Sequence, residues 1–515
     1  MLLRVSFVEE FFDVLNKVKG TEFVEGLALD VAKSEVNICG KTFIKLINLR
    51  LLDLYIRDWN SLRDINGKIR KSKLGIETKV NATSGKLEFL SSELRLFVWH
   101  GYPFEHLPAM FYPESLVILD LSYSRIKEIW SGSKKLDKFP DDMGIMKDLV
   151  ELHADGTQIV QLPSSVSFLG NLQVFSLGQR EGIQTKSWGS ILWPTFLPSK
   201  MHHSPSAVFP SLSGLRFLRN IDVSHCSLTE ASLDGIECLS MLETLNLSGN
   251  DFTSLPSFSQ LLRLETLGLV GCKKIKALPE LPPNIQLIEA QDCSSLQELP
   301  EKLTMYKSSI QCFDFTNSAK LIENQTIESL VTMLLPQGRI DPYKMVSVFL
   351  PGGRIPGWFS NQSIGDCVKV DLPPDWSYKK FKGIAICLVF TPRNPGRRKS
   401  SYGSIGFRFK NFDGTPIGGE FPIPDSVFQY ENIGIKSDQM LLSYHQSEPE
   451  WSRVKNFILV SFDVYGADCV VKMCGARLVC EEDEQQESSG SRMIQWLPPP
   501  SHAEDEPLLK KRHVA

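Results

Sequence analysis

Long apolar runs are missing from this sequence. Among the longest is Gly383 to Phe390, far short of the roughly 20 residues that a membrane-crossing helix needs, so no span is expected. No secretory leader is expected either: Glu9, Glu10 and Asp13 interrupt the N-terminal MLLRVSFVEEFFDVL, no small-residue cleavage site follows, and the segment reads as folded sequence. Positive charge is not in excess. Lys and Arg total 56 against 60 Asp and Glu, the formal charge is −4 and the isoelectric point is near 6.2, which gives no basic footprint for nucleic acid or an anionic membrane. Cysteine is sparse: eleven residues, an odd number, with no C-x-x-C pair. That pattern excludes a zinc site or a disulfide scaffold and suits a reducing compartment. The cytoplasm is the expected location, with access to the nucleus left open by the short basic cluster Lys510-Lys511-Arg512.

Catalytic signatures are equally scarce. There is no H-E-x-x-H, no G-x-S-x-G and no G-x-x-x-x-G-K-[ST]. His202 and His203 lie in a loop-like SKMHHSPS segment and read as solvated, and Pro351-GGRIPGW-Trp358 lacks the strand-loop-helix context of a phosphate loop and reads as a turn. Neither catalysis nor a cofactor nor a metal is therefore expected, and the bulk composition, 42% hydrophobic and 23% charged, is that of ordinary globular material.

What is present is a repeat. The pattern L-x-x-L-x-L, with substitutions, recurs at Leu49/Leu52/Leu54, Leu94/Phe97/Trp99, Leu116/Leu119/Leu121, Leu149/Leu152/Ala154, Leu172/Phe175/Leu177, Leu218/Ile221/Val223, Leu242/Leu245/Leu247, Leu264/Leu267/Leu269 and Ile285/Ile288/Ala290. Most intervals fit one period of about 22 to 24 residues, and the long ones, Leu54 to Trp99 and Leu177 to Val223, fit two. Alternation within each copy gives a short strand with one face in and one face out, and stacked coils bury the inward face that one coil cannot bury alone. Three residues beyond the last apolar position stands a small or polar residue, Ser124, Thr157, Cys226, Asn250, Cys272 or Cys293, placed to hydrogen-bond backbone as the chain leaves the strand. The cysteines among them read as a buried packing ladder. Leu-Pro pairs at 107–108, 162–163, 255–256, 278–279 and 299–300 recur in phase and mark the descent from each strand.

Residues 345–480 change character: short apolar runs such as MVSVFL, GIAICLVF and FILVSFDVY alternate with Gly, Pro and Asn, which reads as antiparallel β structure. Beyond Cys480 the acidic EEDEQQESSG and a proline-rich stretch read as a disordered tail.

The segments Glu93-LRLFVWHGYPFEHLP-Ala109, Phe111-YPESLVILDLSYSRIKEIW and the closing stretch 247–300 resemble the repeats of plant TIR-type nucleotide-binding leucine-rich-repeat disease resistance proteins. Gly20-TEFVEGLALD resembles the lead-in to that array, and Phe349-LPGGRIPGWFSNQSIGDCVKVDLPPDWSYKKFKGIAICLVF together with Val471-KMCGARLVC is similar to the family's C-terminal jelly-roll and Ig-like domain, the C-JID. The likeness covers about residues 20–480. It implies an α/β leucine-rich-repeat solenoid with a curved parallel sheet, followed by an all-β jelly-roll/Ig-like sandwich. The organisation expected is a lead-in segment 1–45, the solenoid 46–310, a connecting segment 311–344, the β-domain 345–480 and the tail 481–515. Two departures stand out: Trp130 runs directly into SGSKKLDKFPDDMGIM as though coils had been lost, and Gln439 stands where the resemblance leads one to expect His.

The function implied is recognition, without catalysis, of a protein ligand, either a pathogen effector or a host protein, alongside full-length receptor partners. The competing reading is a secreted or cytosolic leucine-rich-repeat scaffold outside immunity, for which Asn81-Ala-Thr83 and Asn361-Gln-Ser363 would be glycosylation acceptors. Because the leucines point inward, the intervening residues point out: Glu151, His153 and Asp155; Asn220, Asp222 and Ser224; Thr244, Asn246 and Ser248; Glu289 and Gln291. These are the candidate ligand contacts, with Trp358 and Trp376 of the β-domain as aromatic anchors; the plainer alternative is a solvated sheet face with both tryptophans in a core.

Overall fold

A computed structural model describes residues 2–5, 23–31, 36–55, 80–83, 85–126, 145–157, 159, 164–179, 212–300, 310–323, 345–374, 376–393, 404–422, 435–446, 451–452, 454–465 and 469–480. In chain order the strands of the repeat region are β1 (Leu2–Val5), β2 (Gly26–Asp30), β3 (Val36–Ile38), β4 (Leu51–Tyr55), β5 (Val80–Ala82), β6 (Leu96–Trp99), β7 (Ile118–Asp120), β8 (Glu151–His153), β9 (Val174–Ser176), β10 (Asn220–Asp222), β11 (Thr244–Asn246), β12 (Thr266–Gly268), β13 (Leu287–Glu289) and β14 (Ile310–Asp314). Apart from β3 and β5, which pair with each other, they form one parallel ladder in sequence order.

The register follows the leucine motif. Leu52, Phe97, Leu119, Leu152, Phe175, Ile221, Leu245, Leu267 and Ile288 are successive partners across the sheet, and all are buried in one core. This is the leucine-rich-repeat solenoid.

Three expectations about its extent need correcting. The intervals Leu54–Trp99 and Leu177–Val223 are single coils and not double ones, because β4 pairs directly with β6 and β9 with β10. Spacing counts residues, but pairing counts coils, and an insertion lengthens a coil without adding a strand to the ladder; β5, inside the first interval, pairs with β3 instead. The solenoid sheet also begins before residue 46: Val24, Leu27 and Leu29 are a further copy of the motif with Val in the first place, and β2 pairs with β4. It likewise reaches past residue 310, since β14 carries Ile310, Phe313 and Phe315 in the motif positions and pairs with β13 inside the expected connecting segment. The ladder is unbroken where coils looked lost, for β7 and β8 are neighbours; Trp130 and the residues after it to 144 fall outside the described residues, as do His202, His203 and the tail.

The residue three beyond each strand's last apolar position does what its chemistry suggests. The Cys226 thiol donates to Leu177 O (3.3 Å), Cys272 to Leu247 O (3.3 Å) and Cys293 to Leu269 O (3.1 Å). Asn250 Nδ2 reaches Val223 O (2.9 Å) and Ser318 Oγ reaches Ala290 O (2.9 Å). Each side chain therefore satisfies a buried carbonyl of the preceding coil, and burial pushes the Cys226 and Cys293 thiols well above the usual range.

The parallel ladder does not end at the repeats. Strand β15 (Met345–Pro351) pairs parallel with β14 and antiparallel with a later strand. After it come β16 (Asn361–Ile364), β17 (Cys367–Asp371), β18 (Phe381–Pro392), β19 (Ser404–Asn411), β20 (Pro416–Pro422), β21 (Gln439–Gln446), β22 (Phe457–Tyr465) and β23 (Cys469–Cys480). The order β14-β15-β21-β18-β23-β16 continues the same sheet, now antiparallel, while β17-β22-β19-β20 form a separate four-stranded antiparallel sheet. Val348, Leu442 and Cys387 extend the solenoid's own core. On the opposite face, Phe349, Leu441, Ile386 and Leu388 pack with Val370, Phe407, Phe409 and Val460 of the second sheet to form another core.

Candidate functional site

The outward positions of the repeat strands make the open face of the sheet, and they fall into lanes running across the coils. Immediately before each strand, or at its start, is one lane: Arg50, Arg95, Val117, Val150, Gln173, Arg219 and Glu243. The next contains Leu51, Leu96, Ile118, Glu151, Val174, Asn220 and Thr244, aligned by register. Two further lanes, at the strand's end and two residues beyond, carry most of the polar candidates.

In these last two lanes the side chains bond to one another and to backbone. Asp222 Oδ1 accepts from Ser224 N (2.9 Å), and its Oδ2 accepts from Asn246 Nδ2 (2.8 Å). Asn246 Oδ1 in turn accepts from Ser248 N (3.2 Å), and Ser248 Oγ accepts from Val270 N (3.0 Å). Asp155 Oδ1 accepts from Gly178 N (2.8 Å) and from Ser176 Oγ. Asp120 and Asp314 repeat the same bond to the backbone N–H two residues on, an Asx turn in each case. The residue that follows has a positive φ: Tyr123 at 62°, His225 at 57°, Gly249 at 71° and Asn317 at 62°. The polar candidates thus hold each coil's exit turn. Space is tight enough that glycine is needed opposite Asn246, since a Cβ on Gly268 would stand 2.7 Å from Asn246 Oδ1.

Burial sorts the candidates. Asp155, His153, Ser224, Asn246, Ser248, Glu289 and Gln291 are buried, Glu151, Asp222 and Thr244 are half-buried, and Asn220 is exposed. His153 Nε2 lies 3.1 Å from Glu151 Oε2. At the last coils Leu287 and Cys312, on the outward face of β13 and β14, join the core of the second sheet, and Gln291 and Asp314 bond to each other. Asp314 accepts from Gln291 Nε2 (2.7 Å) and Thr316 N (2.9 Å), yet burial still pushes its carboxyl up to about 6.

The two tryptophans are not brought together. Trp358, half-buried, packs against the solenoid-side core, with the Arg477 guanidinium 4.6 Å from its ring centroid and Arg477 Nη1 donating to its carbonyl (3.2 Å). Trp376 packs 5.1 Å from Phe381 on the core of the second sheet. The two cores lie on opposite faces of the main sheet, so Trp358 does not face the open surface of the repeats. Gln439, the unexpected residue, is fully buried at the seam: its Oε1 accepts from Asn317 N (3.1 Å), and Lys436 Nζ meets Asp292 (2.6 Å) beside it. It ties the last coil's exit turn to β21.

Attention to polar outward positions from Glu151 onward passes over the same positions in earlier coils. There Leu51, Leu96 and Ile118 occupy the lane of Glu151 and Asn220, as Val174 does one coil beyond Glu151, all half-buried. Beside them is a shallow pocket of about 400 Å³, lined by Arg95, Val117, Asp148, Val150, Asn171 and Gln173. The signal was in the sequence: apolar residues at motif positions that face outward. Among the described residues no group of His, Cys, Asp and Glu is arranged to hold a metal ion, and no helix is long and apolar enough to cross a membrane.

Comparison with known proteins agrees with this architecture. A family model described as the C-JID domain matches residues 350–485, and one described as leucine-rich repeats (2 copies) matches residues 240–283. The chain is 24% identical to the disease resistance-like protein DSC1 of Arabidopsis thaliana over 94% of its own length and 53% of that protein's. It is 26% identical to disease resistance protein RPS4B of the same plant, over 93% and 47%, and 28% identical to RPP2A over 54% and 19%. It therefore carries leucine-rich repeats and a C-JID domain, and its homologues are Arabidopsis disease resistance proteins. The chain spans about half the length of the first curated relatives it matches.

Proposed function

We propose that this chain is the recognition part of an intracellular plant immune receptor, which binds a protein ligand, either a pathogen effector or a host protein, and catalyses no reaction on it. The observation that carries the reading is the single sheet running from the repeats into the C-terminal unit, with Asn220 exposed and Glu151 and Thr244 half-buried on the outward face of its middle coils among the described residues. A broad, rigid surface of this kind suits protein recognition, where affinity comes from a few well-packed contacts over a large area. The two packed antiparallel sheets of residues 345–480 are read as the jelly-roll/Ig-like sandwich of the C-JID. A cytoplasmic location is supported by the eleven cysteines, all present as free thiols. The glycosylation alternative loses support at Asn361, whose amide bonds Ser360 Oγ (3.1 Å) and Ala476 O (3.3 Å) in strand β16.

The test is binding of the purified chain to pathogen effectors and host proteins that co-precipitate with it from leaves, followed by titration calorimetry of each purified pair. Among the sequence-derived contacts, Asn220 is exposed and Glu151, Asp222 and Thr244 are half-buried, so their alanine variants enter the titration, whereas buried Asn246 and Glu289 do not. Lys274→Ala, whose ammonium pairs with Asp251 (3.0 Å), is the control. A true hot spot costs at least about 2 kcal/mol, roughly thirtyfold in affinity. Failure of every co-precipitated protein to bind directly, or turnover of NAD or nucleotide by the purified chain, would contradict the proposal.

A further inference from the structure

The apolar lane on the early coils deepens the protein-recognition reading and rests on it. Leu51, Leu96 and Ile118 face outward on β4, β6 and β7, half-buried, up to Glu151 on β8, and Val117 and Val150 continue the apolar surface into the neighbouring pocket. Outward positions of a solvated sheet face are expected to be polar, and farther along the same lane they are, as Asn220, Thr244 and Thr266. Charge is arranged along this strip. At its β4–β6 end stand Arg50 and Arg95, both exposed, neither forming an ion pair among the described residues. At its β8 end stands Asp148, exposed on the pocket wall and likewise without an ion pair among the described residues, next to Glu151, which is already bonded to His153. Arg50 on the first coil of this stretch and Asp148 on the fourth, with Arg95 between them and lining the same pocket as Asp148, have thus been left without an ion pair among the described residues.

We infer that this strip is a docking site for a short extended segment of a partner protein that carries carboxylates at one end, apolar side chains in the middle and a cation at the other. Carboxylates meet Arg50 and Arg95, the apolar middle covers Leu96, Val117 and Ile118, and the cation reaches Asp148. The four coils β4, β6, β7 and β8 lie about 4.8 Å apart, so the strip from Arg50 to Asp148 is about 14 Å long, which roughly four residues of extended chain cover. Apolar contact supplies affinity, and the charges fix direction and exclude wrong partners.

The probe is a fluorescein-labelled peptide of about 12 residues with glutamates at one end, leucine and phenylalanine in the middle and lysines at the other. A control peptide has lysine in place of each glutamate. Fluorescence anisotropy is read on the full chain, on Arg50→Glu/Arg95→Glu and on Val150→Asp, each first shown to unfold at the wild-type urea midpoint. The expected result is saturable binding of the first peptide that weakens at least about tenfold in both variants, while the control peptide gains affinity for Arg50→Glu/Arg95→Glu. Equal binding of the two peptides to the wild type, no binding at about 1 mM, or binding indifferent to both variants would overturn the inference. A protein ligand that binds Arg50→Glu/Arg95→Glu as tightly as wild type would overturn the strip and leave the recognition reading standing. If no protein ligand exists at all, it is the recognition reading that falls.

Discussion

Replacing Asp314 by asparagine should stabilise the protein at neutral and alkaline pH. The carboxyl is fully buried at the end of β14, and its pKa is raised from 3.8 to about 6. A raised acid favours the fold below the pKa of the unfolded chain, and that contribution is lost as pH rises through the folded value. The difference of roughly two pH units corresponds to about 3 kcal/mol at pH 8, of which about half is already present at pH 5. Asparagine retains an oxygen for Thr316 N, and its amide can donate to Gln291 Oε1, which has no hydrogen-bond partner. Urea unfolding of wild type and Asp314→Asn, followed by tryptophan fluorescence at pH 5 and pH 8, measures the effect. The variant should gain about 1–3 kcal/mol at pH 8 and clearly less at pH 5. A variant less stable than wild type at pH 8, or a gain identical at both pH values, would refute the argument from burial.

Other perturbations test other parts of the structure. Leu245→Ala empties a fully buried position in the middle of the leucine column and should cost about 2–5 kcal/mol in the same unfolding assay. Gly268→Ala places a Cβ against Asn246 Oδ1; a loss of about 1–3 kcal/mol is expected, relieved in the Gly268→Ala/Asn246→Ser double variant. His445 is buried against Phe407, 4.3 Å between ring centroids, and burial lowers its pKa to about 3. The fold keeps this imidazole neutral, so stability present above about pH 6.5 falls as pH drops towards 3, by up to about 1.4 kcal/mol per unit. His445→Phe should flatten that slope between pH 7 and pH 5, as read from urea midpoints.

The inward columns were legible because every coil must contribute the same buried side chains in the same phase, and Leu245 over Leu267 follows directly from L-x-x-L-x-L. The flanking coils were less so, since Val24 and Ile310 replace leucine at the first position and Phe313 and Phe315 fill the others. Coil number could not be counted from spacing alone: insertions after Tyr55 and Leu177 mimic a second period. The roles of Asp222, Asn246 and Asp314 depend on which backbone N–H groups the exit turn presents, and the covering of Leu287 and Cys312 depends on a second sheet whose strands follow later in the chain. Alternation alone places these side chains on the outer face. It does not say whether solvent, a neighbouring coil or the second sheet meets them there.

A ligand can be held jointly by the repeats and the C-terminal unit only if the two are one body, and the seam between β14 and β15 is where that is decided. Native-state hydrogen exchange of the purified chain, read at increasing urea, reports the opening free energy of each amide. Phe315 N donates to Phe349 O (2.9 Å) across the seam, with Leu247 N to Gly268 O (2.8 Å) as a reference inside the repeats. The continuous sheet predicts that Phe315 and the β15 amides open together with Leu247, in the same global unfolding event. Seam amides that exchange through a separate, low-energy opening while both flanks stay protected would contradict it.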